Sequence, residues 1–330
     1  MDWSRILSDG VRSGLGINAA VYALAAVGLN LQFGYTGLWN FGQAGFMLAG
    51  AYGTAIAVNS WGLGFGLAVL CGIVASILLG LLLGIPTLRL RADYLAIVTI
   101  ATAEILRMVV NSTKVQSLTG GPQGIFGFAN WFFDHNPIPD GNYGFGTITY
   151  NQRDLWVTIV TWVLVALASV LVALLVHSPW GRLVRAIRED EDAARSLGKN
   201  VFFYKMQALV LGGAMGGLAG IMLAIDRQFV EPKAFESAVT FFVFAALILG
   251  GTGRILGPIV GAIAFWFLVV ATESFVSQAI AHDFLGLRGV IDPTQVGTIR
   301  FVVVGLVIML LVIFRPQGLI GSRQEVMLSE

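Results

Sequence analysis

The sequence has few charged residues and a single cysteine. Only 12% of its 330 residues are Asp, Glu, Lys or Arg, against roughly 25% in a soluble domain. Twenty basic and nineteen acidic residues leave a formal net charge of +1, so nothing indicates a nucleic-acid partner. Cys71, which lies inside an apolar run, can form neither an internal disulfide nor a CxxC metal site.

Apolar residues and glycine are abundant in the sequence. Hydrophobic residues make up 56% of the chain, 41 residues are glycine, and the mean hydropathy is +0.80. Such a composition excludes disorder, and apolar runs of about 18 residues that recur along the chain exclude a soluble enzyme. We therefore predict an all-α polytopic membrane protein with one transmembrane domain over residues 1–330.

Nine apolar runs predict the membrane helices, within a range of roughly 8–10, because about 20 helical residues cross the hydrocarbon core of a bilayer. The predicted spans are 17–33, 41–58, 61–85, 93–110, 155–176, 202–225, 237–250, 255–276 and 299–314. Residues 1–16 place Trp3, Ile6 and Leu7 on one helical face, which predicts an amphipathic helix at the membrane interface. The glycine-rich junction 250–257 predicts a tight turn or a break within the membrane.

The positions of arginine and lysine predict which loops face the cytoplasm. An external N-terminus and nine crossings place ten basic residues inside: Arg89, Arg91, Arg182, Arg185, Arg188, Arg195, Lys199, Arg254, Arg315 and Arg323. The outer segments then hold seven, over a longer stretch. Residues 177–200 are predicted to be a cytoplasmic loop and residues 111–154 a long external loop.

Several polar and small residues lie inside the predicted spans. Glu104 and Arg107 are three residues apart on one helix face and can pair; a lone charge at mid-bilayer costs roughly 2.5–3.5 kcal/mol. They form either a structural ion pair or part of a polar path. Asn30, Gln32, Asn40 and Gln43 either line a path or satisfy a broken backbone. Small-residue seams, which pack helices in this subunit or against a second one, are predicted at Gly212, Gly216, Gly220, Gly253, Gly257 and Gly261.

The loop 177–200 predicts one or two short capped helices on the inner face of the membrane. Ser178 suits an N-cap and Pro179 the first helical position. Acidic residues then open a second short helix, Arg195 lies near its end and Gly198 just beyond it, as the helix dipole and a glycine C-cap favour. A merely solvated loop has no need of caps, whereas a docking element does.

At these residues the chain resembles the permease subunits of ABC importers for branched-chain amino acids, of the LivM type. The resemblance is carried by REDEDAARSLGKN (188–200) and by four further stretches: AVGLNLQFGYTGLWNFGQAGFMLAGAY (26–52), LTGGPQGI (118–125), LILGGTGRILGPIVGA (247–262) and FRPQGLIG (314–321). They cover most of the chain in order. Residues 126–153 depart from the pattern, since this stretch is longer than the family leads us to expect.

The resemblance implies a bacterial cytoplasmic-membrane protein that works with a sister permease, two cytoplasmic ATPase subunits and an external solute-binding protein. It assigns ATPase coupling to Arg182, Arg185, Arg188, Glu189, Asp190, Glu191, Asp192, Arg195 and Gly198. The chain has no G-x-x-x-x-G-K-[ST] loop, so ATP and Mg²⁺ would be used by partner subunits and no cofactor is expected on this chain. The resemblance also implies alternating access.

Two other functions remain open on the sequence. The first is the same kind of importer for urea, short amides or another amino acid. The second is a self-sufficient secondary transporter, which would need intramembrane acidic or histidine relays and repeated, broken helices; only Glu104 is a candidate relay, and no convincing internal repeat is visible. No paired carboxylates, Ser/His/Asp set or metal cluster indicates a membrane enzyme.

Overall fold

The computed structural model describes residues 2–88, 92–145, 148–281, 296–315 and 317–320. The α-helices in these ranges are α1 (Trp3–Leu15), α2 (Ile17–Leu29), α3 (Gln43–Asn59), α4 (Phe65–Thr87), α5 (Ala92–Asn111), α6 (Gln116–Thr119), α7 (Asn130–Asp134), α8 (Gln152–His177), α9 (Pro179–Glu189), α10 (Glu191–Ser196), α11 (Val201–Arg227), α12 (Ser237–Gly250), α13 (Gly257–Ala281) and α14 (Val296–Phe314). A π-helix, Asn30–Tyr35, continues α2, and 3-10 turns cover Thr113–Val115, Gly121–Gln123 and Pro232–Phe235.

The prediction of an all-α polytopic membrane protein is confirmed. Each of the nine predicted spans contains a helix, and the range 237–250 matches α12 in full. Among the described residues, six helices are long and apolar enough to cross a membrane: α2 with its π-helix, α4, α5, α8, α11 and α13; α12 and α14 are shorter apolar helices. Arg89, Arg91 and Arg323, which the orientation prediction counts, lie outside the described residues.

The centre of the bundle is formed by α2, α3 and α11. Nearly every side chain of α2 is buried, as are most of those of α3 and of the second half of α11. Small residues make this possible, because Ala and Gly let helix backbones approach closely. By contrast α4 and α8, with mean hydropathies of 2.7 and 2.9, expose rows of leucines such as Leu78, Leu82 and Leu174, which suits contact with lipid.

The N-terminal helix α1 lies along α13. Asp2 caps α1 by accepting hydrogen bonds from Ser4 and Arg5, and these bonds, the one from the Ser4 hydroxyl first, lower the pKa of Asp2. Ser274 donates to Asp9 at 2.9 Å, and a Cβ at Gly10 would lie 2.8 Å from the Phe267 ring. The predicted amphipathic helix is thus present and packs on a span; its place at the membrane interface stays a prediction.

The predicted external loop is largely ordered. Strand β1 (Ile125–Phe126) pairs antiparallel with β4 (Phe229–Val230), which ties the loop to the end of α11. Strands β2 (Asn142–Phe145) and β3 (Ile148–Asn151) form an antiparallel pair directly before α8. An aromatic contact also packs this loop against α4, because the rings of Phe65 and Trp131 stack with their centroids 5.4 Å apart. Residues 126–153, which are predicted to depart from the family pattern, contain α7 and the β2–β3 pair.

Candidate functional site

The segment between α8 and α11 folds as two capped helices. Ser178 accepts a hydrogen bond from the Trp180 backbone N–H, and Pro179 is the first residue of α9. Asp190 ends α9 and caps α10 by accepting from the Ala193 N–H at 2.9 Å. Gly198 follows α10 with a φ of +74°, a left-handed conformation that glycine adopts without strain. The helices and caps predicted for residues 177–200 are confirmed; their role in coupling stays a prediction.

Some of the predicted coupling residues anchor this segment to its own chain. Arg185 donates to the Val176 carbonyl at 2.8 Å and so satisfies the end of α8. Glu191 forms ion pairs with Arg195, on α10, and with Lys205, on α11. Trp180 donates through its indole N–H to Gln207 on α11 at 2.9 Å. The segment is therefore anchored to both α8 and α11.

Other predicted coupling residues face outward. The side chains of Glu189 and Asp192 are 72% and 90% exposed, and Arg182 and Arg195 are exposed as well. Beside them lies a groove of about 570 Å³ between α9 and α11, lined by residues that include Arg182, Leu183, Lys199, Phe203 and Tyr204. An outward face of mixed charge next to an open groove is a suitable surface for a protein partner.

Arg188 connects the segment to the membrane helices. Its Nη1 donates to the carbonyl of Gly34 in the π-helix, and its aliphatic part packs on Gly37, where a Cβ would lie 3.2 Å from Arg188 Cγ. π-helical turns are rare overall, and those that occur are often found at functional sites. The contact brings an arginine of the predicted cytoplasmic loop to the break between α2 and α3.

Two matching turns meet beside Arg188. Thr36-Gly37 follows the π-helix and Thr252-Gly253 follows α12, and both glycines have a φ of +72°. A Cβ at Gly253 would lie 3.6 Å from both Arg188 Nη1 and the Gly34 carbonyl oxygen. This pair of Thr-Gly turns is a local repeat that the sequence did not reveal, because it is short and its flanking residues differ.

Asn30 fastens the two turns together. Its side-chain amide donates to the Arg254 carbonyl and accepts from the Gly253 N–H, both at 2.9 Å. The residue is buried, so its hydrogen bonds lie in a region of low dielectric, where they are strong and costly to break. Asn30 therefore has a structural role at the junction that Arg188 contacts.

The other three polar residues of the first broken helix form a closed network. Gln32 donates to the Leu209 carbonyl at 2.9 Å and accepts from Asn40 at 2.8 Å. Gln43 accepts from Asn40 and donates to the carbonyls of Ala25 and Gly212, each at 3.3 Å. All three side chains are fully buried. Of the two roles left open by the sequence, the geometry supports satisfaction of the broken backbone.

Glu104 and Arg107 form the predicted ion pair on α5. Arg107 Nε lies 3.0 Å from Glu104 Oε2. The Glu104 side chain remains 32% exposed and the Arg107 side chain 20%. A second ion pair, which the sequence did not reveal, joins Glu273 on α13 to Arg300 on α14. Each partner lies near the edge of its span and the two are 27 positions apart, so only the pattern of oppositely charged edges could have indicated it.

Most of the predicted glycine seams pack helices within this chain. A Cβ at Gly212 would lie 2.4 Å from Gly28 on α2. On α3, a Cβ at Gly216 would lie 2.5 Å from Gln43, and one at Gly220 would lie 2.0 Å from Met47. Gly257 and Gly261 let the start of α13 lie against α12 and the turn before it. The seam prediction is wrong for Gly253, which lies in a turn with a left-handed backbone and shares no helix face with the other two.

Comparison with known proteins identifies the family. Residues 13–314 match the family described as branched-chain amino acid transport system / permease component. The chain belongs to this permease family. It is 34% identical to the high-affinity branched-chain amino acid transport system permease protein LivM of Salmonella typhimurium, over 91% of this chain and 68% of that protein.

Two more distant relatives are also named as branched-chain amino acid transport permeases. The probable branched-chain amino acid transport permease protein LivM of Methanocaldococcus jannaschii is 24% identical over 92% of this chain and 91% of its own length. The permease protein LivH of Escherichia coli is 25% identical over 84% of this chain and 91% of its own length. The resemblance inferred from the sequence motifs is confirmed, and this permease is a multi-pass protein of the cytoplasmic membrane.

Proposed function

We propose that this permease is the transmembrane subunit of an ATP-driven importer that carries branched-chain amino acids across the cytoplasmic membrane by alternating access. The observation that carries the proposal is the capped α9–α10 segment, which has an exposed charged face on one side and Arg188 at the junction of two broken helices on the other. A chain similar to LivM over most of its length, with such a segment, is suited to receive motion from a partner.

Partners would supply the energy and the first selection of cargo. Since the chain has no phosphate-binding loop, two cytoplasmic ATPase subunits would bind ATP and Mg²⁺ and contact α9–α10 and the groove beside it. A LivH-like sister permease would complete the path, as the similarity to both LivM and LivH suggests. An external solute-binding protein would deliver the amino acid.

Coupling would pass from the segment to the helix breaks. Displacement of α9 by an ATPase subunit would shift Arg188, and with it the π-helix and the two Thr-Gly turns. These turns lie between α2 and α3 and between α12 and α13, so two helix pairs would move together. The nucleotide can shift the balance between the outward- and inward-facing states only as far as the ATPase subunits bind α9–α10 differently in the two states.

The test is reconstitution of the permease with its candidate partners in proteoliposomes. We expect uptake of radiolabelled leucine, isoleucine and valine that requires ATP, both ATPase subunits, the sister permease and the binding protein. The control omits each component in turn. Uptake by the permease alone without ATP would instead support a secondary transporter, and ATP-dependent uptake of urea or short amides but not leucine would overturn the assignment of cargo.

A further inference from the structure

We propose that Glu104, Arg107 and Ser237, with the rings of Trp39, Phe41 and Phe241, form this subunit's half of a binding strip for a zwitterionic amino acid with an apolar side chain. The inference rests on the proposed function and adds the residues that would contact the cargo. It concerns the face of the protein formed by α5, the break before α3 and the first half of α12.

A charged pair on this face is unsuited to lipid, although its neighbours Ile105 and Met108 are exposed and apolar. Among the six candidate spans α5 is the least buried within the chain, yet its mean hydropathy is 1.5, well below the 2.7 and 2.9 of α4 and α8. It carries the Glu104–Arg107 pair, and both side chains keep part of their surface open. Charged groups inside a membrane normally face protein or a water-filled cavity, so the open side of this pair faces the path or the second subunit.

A hydroxyl and an aromatic row continue from the ion pair. Ser237 Oγ lies 3.5 Å from Glu104 Oε2, and Phe241 is one turn further along α12, on the same face. Phe241 lies 5.8 Å from Phe41, ring centroid to centroid, and Phe41 lies 6.5 Å from Trp39. Phe241 and Trp39 are 49% and 45% exposed, which leaves ring surface free for a ligand.

The strip also runs in the direction of transport. Glu104 lies seven residues before the end of α5 that leads into the predicted external loop, about 10 Å along the helix axis. Phe241 and then Phe41 and Trp39 follow toward the turns that Arg188 contacts, and Phe33, in the π-helix, packs edge-to-face on Trp39 at 5.2 Å. Charged and apolar subsites thus succeed one another from the outer third of α5 to the predicted inner side.

The chemistry of the strip matches one ligand class. A free amino acid offers an ammonium group to Glu104 and a carboxylate to Arg107, whose guanidinium can bind it with two parallel hydrogen bonds. Aromatic rings bury an apolar side chain and also favour a nearby cation. A sugar or urea would need several neutral hydrogen-bonding groups, whereas this set offers two, the Ser237 hydroxyl and the Trp39 indole N–H.

The experiment uses the complete importer in proteoliposomes. We expect Glu104→Gln and Arg107→Gln to raise the KM for leucine import about tenfold, as the loss of a charged hydrogen bond would, while ATP hydrolysis stimulated by the binding protein is kept. Phe241→Ala should shift the preference from leucine toward the larger phenylalanine. The matched control is Glu273→Gln with Arg300→Gln, which removes an ion pair outside the strip and should leave both KM and preference unchanged.

A purely structural role for the pair would give different results. The exchange Glu104→Arg with Arg107→Glu keeps an ion pair but reverses its charges; if it restores a wild-type KM, or if all strip variants keep wild-type KM and preference, the inference is wrong. Lower yield of assembled complex in the single variants, with normal KM in what assembles, would also overturn it. A wild-type complex that imports no amino acid would overturn the proposed function itself.

Discussion

Arg188 Nη1 donates a hydrogen bond to the carbonyl oxygen of Gly34, across 154 positions of sequence. The bond joins α9 of the predicted cytoplasmic loop to the π-helix that interrupts α2. Because Gly37 and Gly253 lie against the same arginine, one side chain contacts both Thr-Gly turns. Under the proposed function, this contact would be the mechanical link between the α9–α10 segment and the membrane helices.

Arg188→Ala should uncouple the importer. With the guanidinium gone, displacement of α9 no longer reaches the turns, and we expect leucine uptake to fall about tenfold or more, a loss of about 1.4 kcal/mol or more in coupling. Basal ATP hydrolysis and the amount of assembled complex should stay near wild type. Uptake and ATP hydrolysis are measured on the same proteoliposomes.

The control for Arg188 is Arg5→Ala. Arg5 is an exposed arginine of α1, away from α9–α10 and from both Thr-Gly turns, and it contributes to the Asp2 cap through its backbone N–H, so its replacement should leave leucine uptake at the wild-type level. If both variants lose uptake equally, the loss of any arginine explains the result and the particular role of Arg188 is refuted.

Gly220→Ala should destabilise the bundle. A methyl group at this position would lie 2.0 Å from the Met47 carbonyl oxygen, so α11 and α3 would have to separate, and overpacking of this kind costs typically about 1–3 kcal/mol. Gly66→Ala is the control, since a Cβ there meets no neighbouring atom within 4 Å among the described residues. Thermal unfolding in detergent should show a lower midpoint for Gly220→Ala alone.

Local signals in the sequence predicted local structure well. Ser178 and Gly198 each act within a few residues of themselves, and the caps that they form were predictable from spacing and dipole rules. The apolar spans were equally accessible, because hydropathy over one span does not depend on the rest of the chain. The same local reasoning failed at Gly253, where a four-residue glycine period continues from α13 into a turn.

Long-range contacts were out of reach of the sequence. Nothing near Asn30 shows that its amide spans two turns 223 and 224 positions away. Gln32, Asn40 and Gln43 could be identified as polar groups inside a span, but only their closed hydrogen bonds distinguish a structural network from a path. The ion pair of Glu104 and Arg107 was predictable because both residues lie on one helix turn.

The Gln32–Asn40–Gln43 network is expected to hold the fold and to leave cargo selection alone. Gln32→Met keeps the length of the side chain but removes two buried hydrogen bonds and leaves one amide hydrogen of Asn40 without its acceptor, at a cost of about 1–3 kcal/mol. We expect a lower midpoint of thermal unfolding together with an unchanged KM for leucine in the assembled importer. A raised KM with normal stability would assign the network to the path instead.

The packing of α1 can be tested by cross-linking. Ser274 Oγ and Asp9 Oδ2 are 2.9 Å apart, so Asp9→Cys with Ser274→Cys, in a chain whose native Cys71 is replaced by alanine, should form a disulfide on mild oxidation in membranes.

Leu7 is 55% exposed and lies two residues before Asp9, on the opposite side of α1. Leu7→Cys with Ser274→Cys is therefore the matched control and should stay reduced. Because both variants place the same two thiols in the same short helix and α13, an α1 that lies free in the interface would cross-link weakly and equally in both. Strong and selective cross-linking, read as a mobility shift that a reductant reverses, requires α1 to rest on α13 with the face that carries Asp9 and Gly10.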